Sequence, residues 1–99
     1  MEERQRRKLA VILHADVVGS TTLVHRDETL AHHRIQDSFR RFSETIKSYG
    51  GLTHELRGDA LVAEFARASD AVCAALSFQH RHTEWLLALS DDIKPTIRH

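Results

Sequence analysis

Apolar residues change their spacing several times along this 99-residue chain, and each change predicts a different element. Leu9-Ala-Val-Ile-Leu-His-Ala15 is a short, nearly continuous apolar run, which predicts a strand buried on both faces. Asp16 closes that run. Val17-Val-Gly-Ser-Thr-Thr22 then turns the chain, with Ser20 or Thr21 placed to cap a following helix. Beyond Asp27-Glu-Thr29, Ile35, Phe39, Phe42, Ile46 and Tyr49 recur at alternating steps of four and three. That spacing lays one apolar stripe along an amphipathic helix, and Gly50-Gly51 ends it.

Leu52 to Leu56 and Ala60 to Phe65 predict two strands joined by a tight turn at Arg57-Gly58-Asp59. Ser69, with Asp70 beside it, predicts the cap of a long helix reaching about Ala88. Its expected buried stripe is Val72, Ala75, Leu76, Gln79 and Leu86. Ser90-Asp-Asp92 breaks the helix, and Ile93-Lys-Pro-Thr-Ile-Arg98 predicts the opening of another strand. The order strand, helix with a short one before it, hairpin, helix, strand predicts an α/β or α+β layer with helices packed on a sheet. A last strand cut at His99 predicts a torn sheet edge and a domain that continues beyond this chain.

Composition narrows the classes without naming one. Ninety-nine residues, 41% hydrophobic and 28% charged, fit a single domain with one core. The formal net charge of zero gives no global argument for nucleic acid or an acidic lipid surface. Arg4-Gln-Arg-Arg-Lys8 is a local basic run, expected to be a solvated lead-in over residues 1–8 before the domain at 9–99. No stretch approaches the roughly 18 apolar residues of a membrane span, and no export signal is recognisable, so a cytoplasmic setting is expected. The single Cys73 excludes an internal disulfide and is expected to be an inert helix residue. The eight histidines do not sit at chelating spacings, and His14 is expected to be a satisfied core or sheet-edge residue.

The candidate chemistry rests on Asp16 and Asp59, each expected where a strand ends. Such carboxylates hold hard divalent cations, and magnesium or manganese suits them better than zinc. The carbonyl of Val17 adds a further oxygen donor. The amides of Val18, Gly19, Ser20 and Thr21, turning into a helix start, could meet phosphate oxygens. Arg57-Gly58-Asp59 also spells an adhesion tripeptide, taken here as coincidence.

Ala15-Asp-Val-Val-Gly-Ser-Thr21 resembles the first metal motif of class III adenylate/guanylate cyclases, and Tyr49 to Phe65 resembles their second. Ser69-Asp-Ala-Val-Cys-Ala-Ala75 is similar to the helix that follows in many bacterial members. The resemblance implies a ferredoxin-like or palm-like α+β (α/β sandwich) cyclase fold, cut after the third helix. It implies conversion of ATP or GTP to a 3′,5′-cyclic nucleotide and pyrophosphate with two Mg²⁺ or Mn²⁺ ions. Asp16 and Asp59 would be the catalytic metal ligands, with Val17 contributing its carbonyl and Val18 to Thr21 cradling phosphate. Glu55 stands where the family reads the purine, and a carboxylate there leans towards guanine. The family's sites form between two chains, which implies a homodimer or a complementary half. The transition-state residues of the family would lie beyond His99. Two other expectations stand beside this one: a non-catalytic nucleotide-binding module, and an interaction fragment pairing through Ile93 to His99.

Overall fold

The computed structural model describes residues 10–57 and 60–99, with backbone alone at 55–57. Its elements are β1 (Val11–Val18), α1 (Ser20–Arg26), α2 (Glu28–Ser48), β2 (Leu52–Arg57), β3 (Ala60–Phe65), α3 (Ala68–Ala88) and β4 (Thr96–Arg98). The strands form one antiparallel sheet in the order β2-β3-β1-β4. This is a mixed α+β architecture, as the element order predicted. Leu9 and the turn at Gly58-Asp59 lie outside the described residues.

Helices α2 and α3 pack on one face of the sheet. Leu13, Ala15 and Val17 of β1 meet Leu61, Ala63 and Phe65 of β3 there, under Ile35, Phe39, Phe42 and Ile46 of α2. Ala71, Ala74, Ala75 and Phe78 of α3 and Ile97 of β4 complete the core. The expectation that the first strand is buried on both faces fails. Along β1 burial alternates, and Ile12 is 60% exposed. Successive strand residues point to opposite faces, and the helices cover only one of them. His14 is exposed on the other face and is not a core residue.

Two helix starts also differ from expectation. The cap of α1 is Gly19, in the left-handed region at φ 67°, and neither Ser20 nor Thr21 caps it. The cap of α3 is Arg67, and Ser69 lies inside the first turn. Among the described helices only α2 carries a side-chain cap: Asp27 Oδ1 accepts from Leu30 N–H at 3.0 Å.

The predicted stripe of α2 is buried as far as Ile46, and Tyr49 becomes its C-cap. Gly50 N–H donates to Lys47 O and Gly51 N–H to Ile46 O, which closes the helix in a Schellman motif. Gly50 takes φ 80°, and a Cβ on Gly51 would sit 2.5 Å from the Phe65 ring. The double glycine therefore answers two needs, a left-handed turn and a close approach.

The stripe of α3 is displaced from the predicted one. Val72 and Leu76 are 55% and 65% exposed, while Ala71, Ala74, Ala75, Phe78 and His82 are buried. Alanines and Phe78 face inward where the helix lies against α2 and the sheet, and Val72 and Leu76 are left on its flank. Phe78 stacks on Phe42 with centroids 4.1 Å apart, then on His82 at 5.0 Å. His82 in turn stacks on Trp85, over which the Arg41 guanidinium lies at 3.9 Å.

The segment between α3 and β4 is tied down by polar contacts. Arg34 grips Asp91 through two bonds of 3.0 Å and donates a third, of 2.9 Å, to Ile93 O. Arg26 pairs with Asp92. His82 Nε2 donates to Pro95 O at 2.8 Å, and Gln79 Nε2 to Ile97 O at 2.8 Å. These contacts set where β4 enters the sheet.

Candidate active site

The candidate residue Asp16 lies on the uncovered face of the sheet. Ile12, His14, Asp16 and Val18 share it, because they alternate with the core residues of β1. Register carries the same face across the sheet: Ile12 opposes Glu64, His14 opposes Val62, and Asp16 opposes Ala60 on one side and Arg98 on the other. His54 Nε2 lies 2.6 Å from Glu64 Oε1.

Asp16 does not end its strand. β1 runs two residues further, and Val17 and Val18 pair with Ile97 and Thr96. Val17 has a buried side chain. Val18 is therefore a strand residue, Gly19 is the turn, and Ser20 and Thr21 open the seven-residue α1. Thr22 N–H and Leu23 N–H both donate to Gly19 O, at 3.1 and 3.3 Å.

The Asp16 carboxylate is engaged at both oxygens. Arg98 Nε donates to Oδ1 at 2.9 Å, and a terminal nitrogen donates to Oδ2 at 3.1 Å. Those bonds hold the Asp16 carboxyl below its ordinary pKa, against an opposing push from desolvation. The same pairing raises Arg98. Asp16 is thus an ionised, half-buried hard-oxygen donor, and a carboxylate of this kind suits a divalent ion.

Asp59 lies outside the described residues, while Ala60, the next residue in sequence, is the register partner of Asp16. Glu55 pairs through its backbone with Val62. Among the described residues no group of three His, Cys, Asp or Glu side chains could hold a metal ion. Sequence reasoning missed Arg98. The signal was available: an arginine in an element predicted as a strand, able to meet Asp16 once β4 pairs with β1. It missed His82 as a core residue as well. Cys73 is exposed on α3, and no described helix is long and apolar enough to cross a membrane.

No family model matches the chain. It is 37% identical over 76 residues, 75% of its length, to putative adenylate cyclase 3 of Rhizobium meliloti (strain 1021), and covers 13% of that protein. A bacterial light-regulated adenylyl cyclase superposes with a TM-score of 0.80 at 16% identity, over 89% of this chain and 28% of that one. The guanylyl cyclase Cya2 superposes with a TM-score of 0.71 at 20% identity, over 89% of this chain and 50% of that one. The fold is that of nucleotidyl cyclase catalytic domains. Within that class, this chain is recognised as a portion of a class III adenylate/guanylate cyclase domain, spanning half or less of these relatives.

Proposed function

We propose that the chain supplies the metal-binding part of a class III nucleotidyl cyclase that forms a 3′,5′-cyclic nucleotide and pyrophosphate from ATP or GTP. The observation that carries this reading is the ionised Asp16 carboxylate on the uncovered sheet face, opposite the residue that follows Asp59. Asp16, Asp59 and the Val17 carbonyl would hold two Mg²⁺ or Mn²⁺ ions. When bound, such ions lower the pKa of a ribose 3′-hydroxyl and neutralise triphosphate charge. The backbone from Val18 to Thr21 would receive phosphate oxygens, and Glu55 would accept from a guanine edge in preference to adenine.

A homodimer, or a complementary cyclase half, would bring the remaining groups to the uncovered face. The setting is intracellular signalling in the cytoplasm, with residues 1–8 as a basic lead-in to a domain over 9–99. A second reading is a nucleotide-binding module without turnover, which keeps the Asp16 carboxylate and lacks the groups that complete a cyclase site.

Incubation with Mn²⁺ and either ATP or GTP, followed by mass spectrometry for cyclic product, tests both. The cyclase reading expects product, alone or with a segment carrying the rest of such a domain, and its loss in Asp16→Asn. Nucleotide binding that depends on Asp16 without product under either condition would favour the second reading. Glu55→Lys is expected to move preference towards ATP, and an unchanged ratio would remove Glu55 from base reading.

A further inference from the structure

We propose that His82 is a pH-responsive latch on β4: a second proton on its ring favours an opening in which residues 93–98 lift from α3 and Arg98 leaves Asp16. The latch stands on where the ring sits. His82 is 2% exposed and stacked on Phe78 at 5.0 Å and on Trp85 at 5.6 Å, both on its own helix. Its Nε2 donates to Pro95 O at 2.8 Å, so the neutral ring carries its proton there and Nδ1 is left as an acceptor. Nδ1 is buried and meets no hydrogen-bond partner among the described residues.

A proton on Nδ1 makes that atom a donor with nothing to accept from it, shielded from water. Burial outweighs the gain that a charged ring makes on Pro95 O, and Arg41 adds to the cost. Arg41 comes from α2 and lies over the Trp85 ring. Asp37, on the same helix, is taken by Arg40 and Arg41. β1 and β3 contribute apolar side chains to this core, while His80, Arg81 and Glu84 of α3 are exposed. His99, beyond β4, meets Phe42 edge-on at 6.0 Å.

Anchorage decides what gives way. α3 is fixed in the core by Ala71, Ala74, Ala75 and Phe78. β4 is three residues long, lies at the sheet edge, and pairs with Asp16, Val17 and Val18 alone among the described residues. The helices hold its segment by side-chain bonds to the carbonyls of Ile93, Pro95 and Ile97, and the Pro95 bond is the one whose donor titrates. Below about pH 6.5, each pH unit raises the open fraction by up to about tenfold, until the closed form itself takes up the proton. Arg98 reaches both Asp16 oxygens from β4, so opening frees that carboxylate.

Amide hydrogen exchange of the whole chain, followed by NMR from pH 7.5 to 5.5 and corrected for the intrinsic rate, tests the latch. Amides of the β1–β4 ladder are expected to be at least about tenfold less protected than those of the β1–β3 ladder, because β4 opens without global unfolding. Their opening should still rise as the pH falls. The rise should vanish in His82→Gln, which keeps a donor for Pro95 O and does not titrate. His14 and His99 are present in both chains, so the difference reports His82. If His82→Gln does not fold, His82→Phe takes its place. Equal protection of the two ladders overturns the latch, since β4 would then leave only with the whole fold. A rise that persists without His82, or no rise in the parent, overturns it as well.

Discussion

The two faces of this sheet are made by the same strands and answer to different physics. On the covered face, β1 and β3 contribute Leu13, Ala15, Val17, Leu61, Ala63 and Phe65 to one core with α2 and α3. On the uncovered face, one residue along in each case, stand Ile12, His14, Asp16 and Val18. The first set is fixed by packing and leaves no room for change. The second is exposed, polar in part, and held by hydrogen bonds that solvent can replace. The core belongs to one face and the candidate Asp16 to the other, with a period of two residues separating them.

That contrast breaks most visibly at Phe42. It is fully buried and stacked on Phe78, so Phe42→Ala removes a ring from the centre of the helix-to-helix contact. A loss of about 3–5 kcal/mol is expected, measured by urea unfolding, and that is a large share of a small domain's stability. A cost below about 1 kcal/mol would mean the core collapses readily around the gap.

A second way to sharpen it is pH. His82 is buried in the stack, and burial pushes its pKa below the ordinary 6.5. The proximity of Arg41 acts in the same direction, against the hydrogen bond to Pro95 O. The unfolded chain therefore takes up this proton before the folded one does. Stability is undiminished above about pH 6.5 and falls as the pH drops below it. Thermal unfolding between pH 7.5 and 5.5 should show this fall, and His82→Phe should flatten it relative to the parent.

Asp91 acts lower on the scale. Arg34, then the Ile93 N–H, hold its carboxyl at a pKa of about 2, from an ordinary 3.8. The stabilisation is present above about 3.8 and is lost as the pH falls towards 2. Asp91→Asn should remove that part of the acid unfolding curve. The smallest effect is expected on the uncovered face, where Ile12→Ser should change stability by no more than about 0.5 kcal/mol. A larger loss would mean that face is covered in solution.

The legible parts of the sequence were those governed by local pattern. The α2 stripe and the double glycine follow from periodicity and turn chemistry, and the structure places Ile35, Phe39, Phe42 and Ile46 in the core. The end of α3 at Ala88 and the β2-β3 pairing were legible in the same way. The unbroken apolar run of β1 misled, because Ile12 is apolar yet points away from the helices. On α3, Ala75 is buried as expected, but size misled at Val72 and Leu76, which are exposed while Ala71 and Ala74 are buried.

Contacts across long sequence separations were not legible from local pattern. Arg34 and Asp91 stand 57 positions apart, and Arg98 and Asp16 stand 82 apart. In the candidate site, Asp16 was legible from the motif, but not its position two residues inside a strand or its arginine partner.

The pairing of Asp16 with Ala60 and Arg98 has a consequence for assembly of the sheet itself. A slip of β1 by one residue would exchange its two faces together, carrying Asp16 and His14 under the phenylalanines and turning Leu13 and Val17 out to water. A carboxylate driven into that core would have no arginine within reach and no solvent. The charge on Asp16 thus also proofreads the fold, since the register that keeps it wet is the one that pairs it with Arg98.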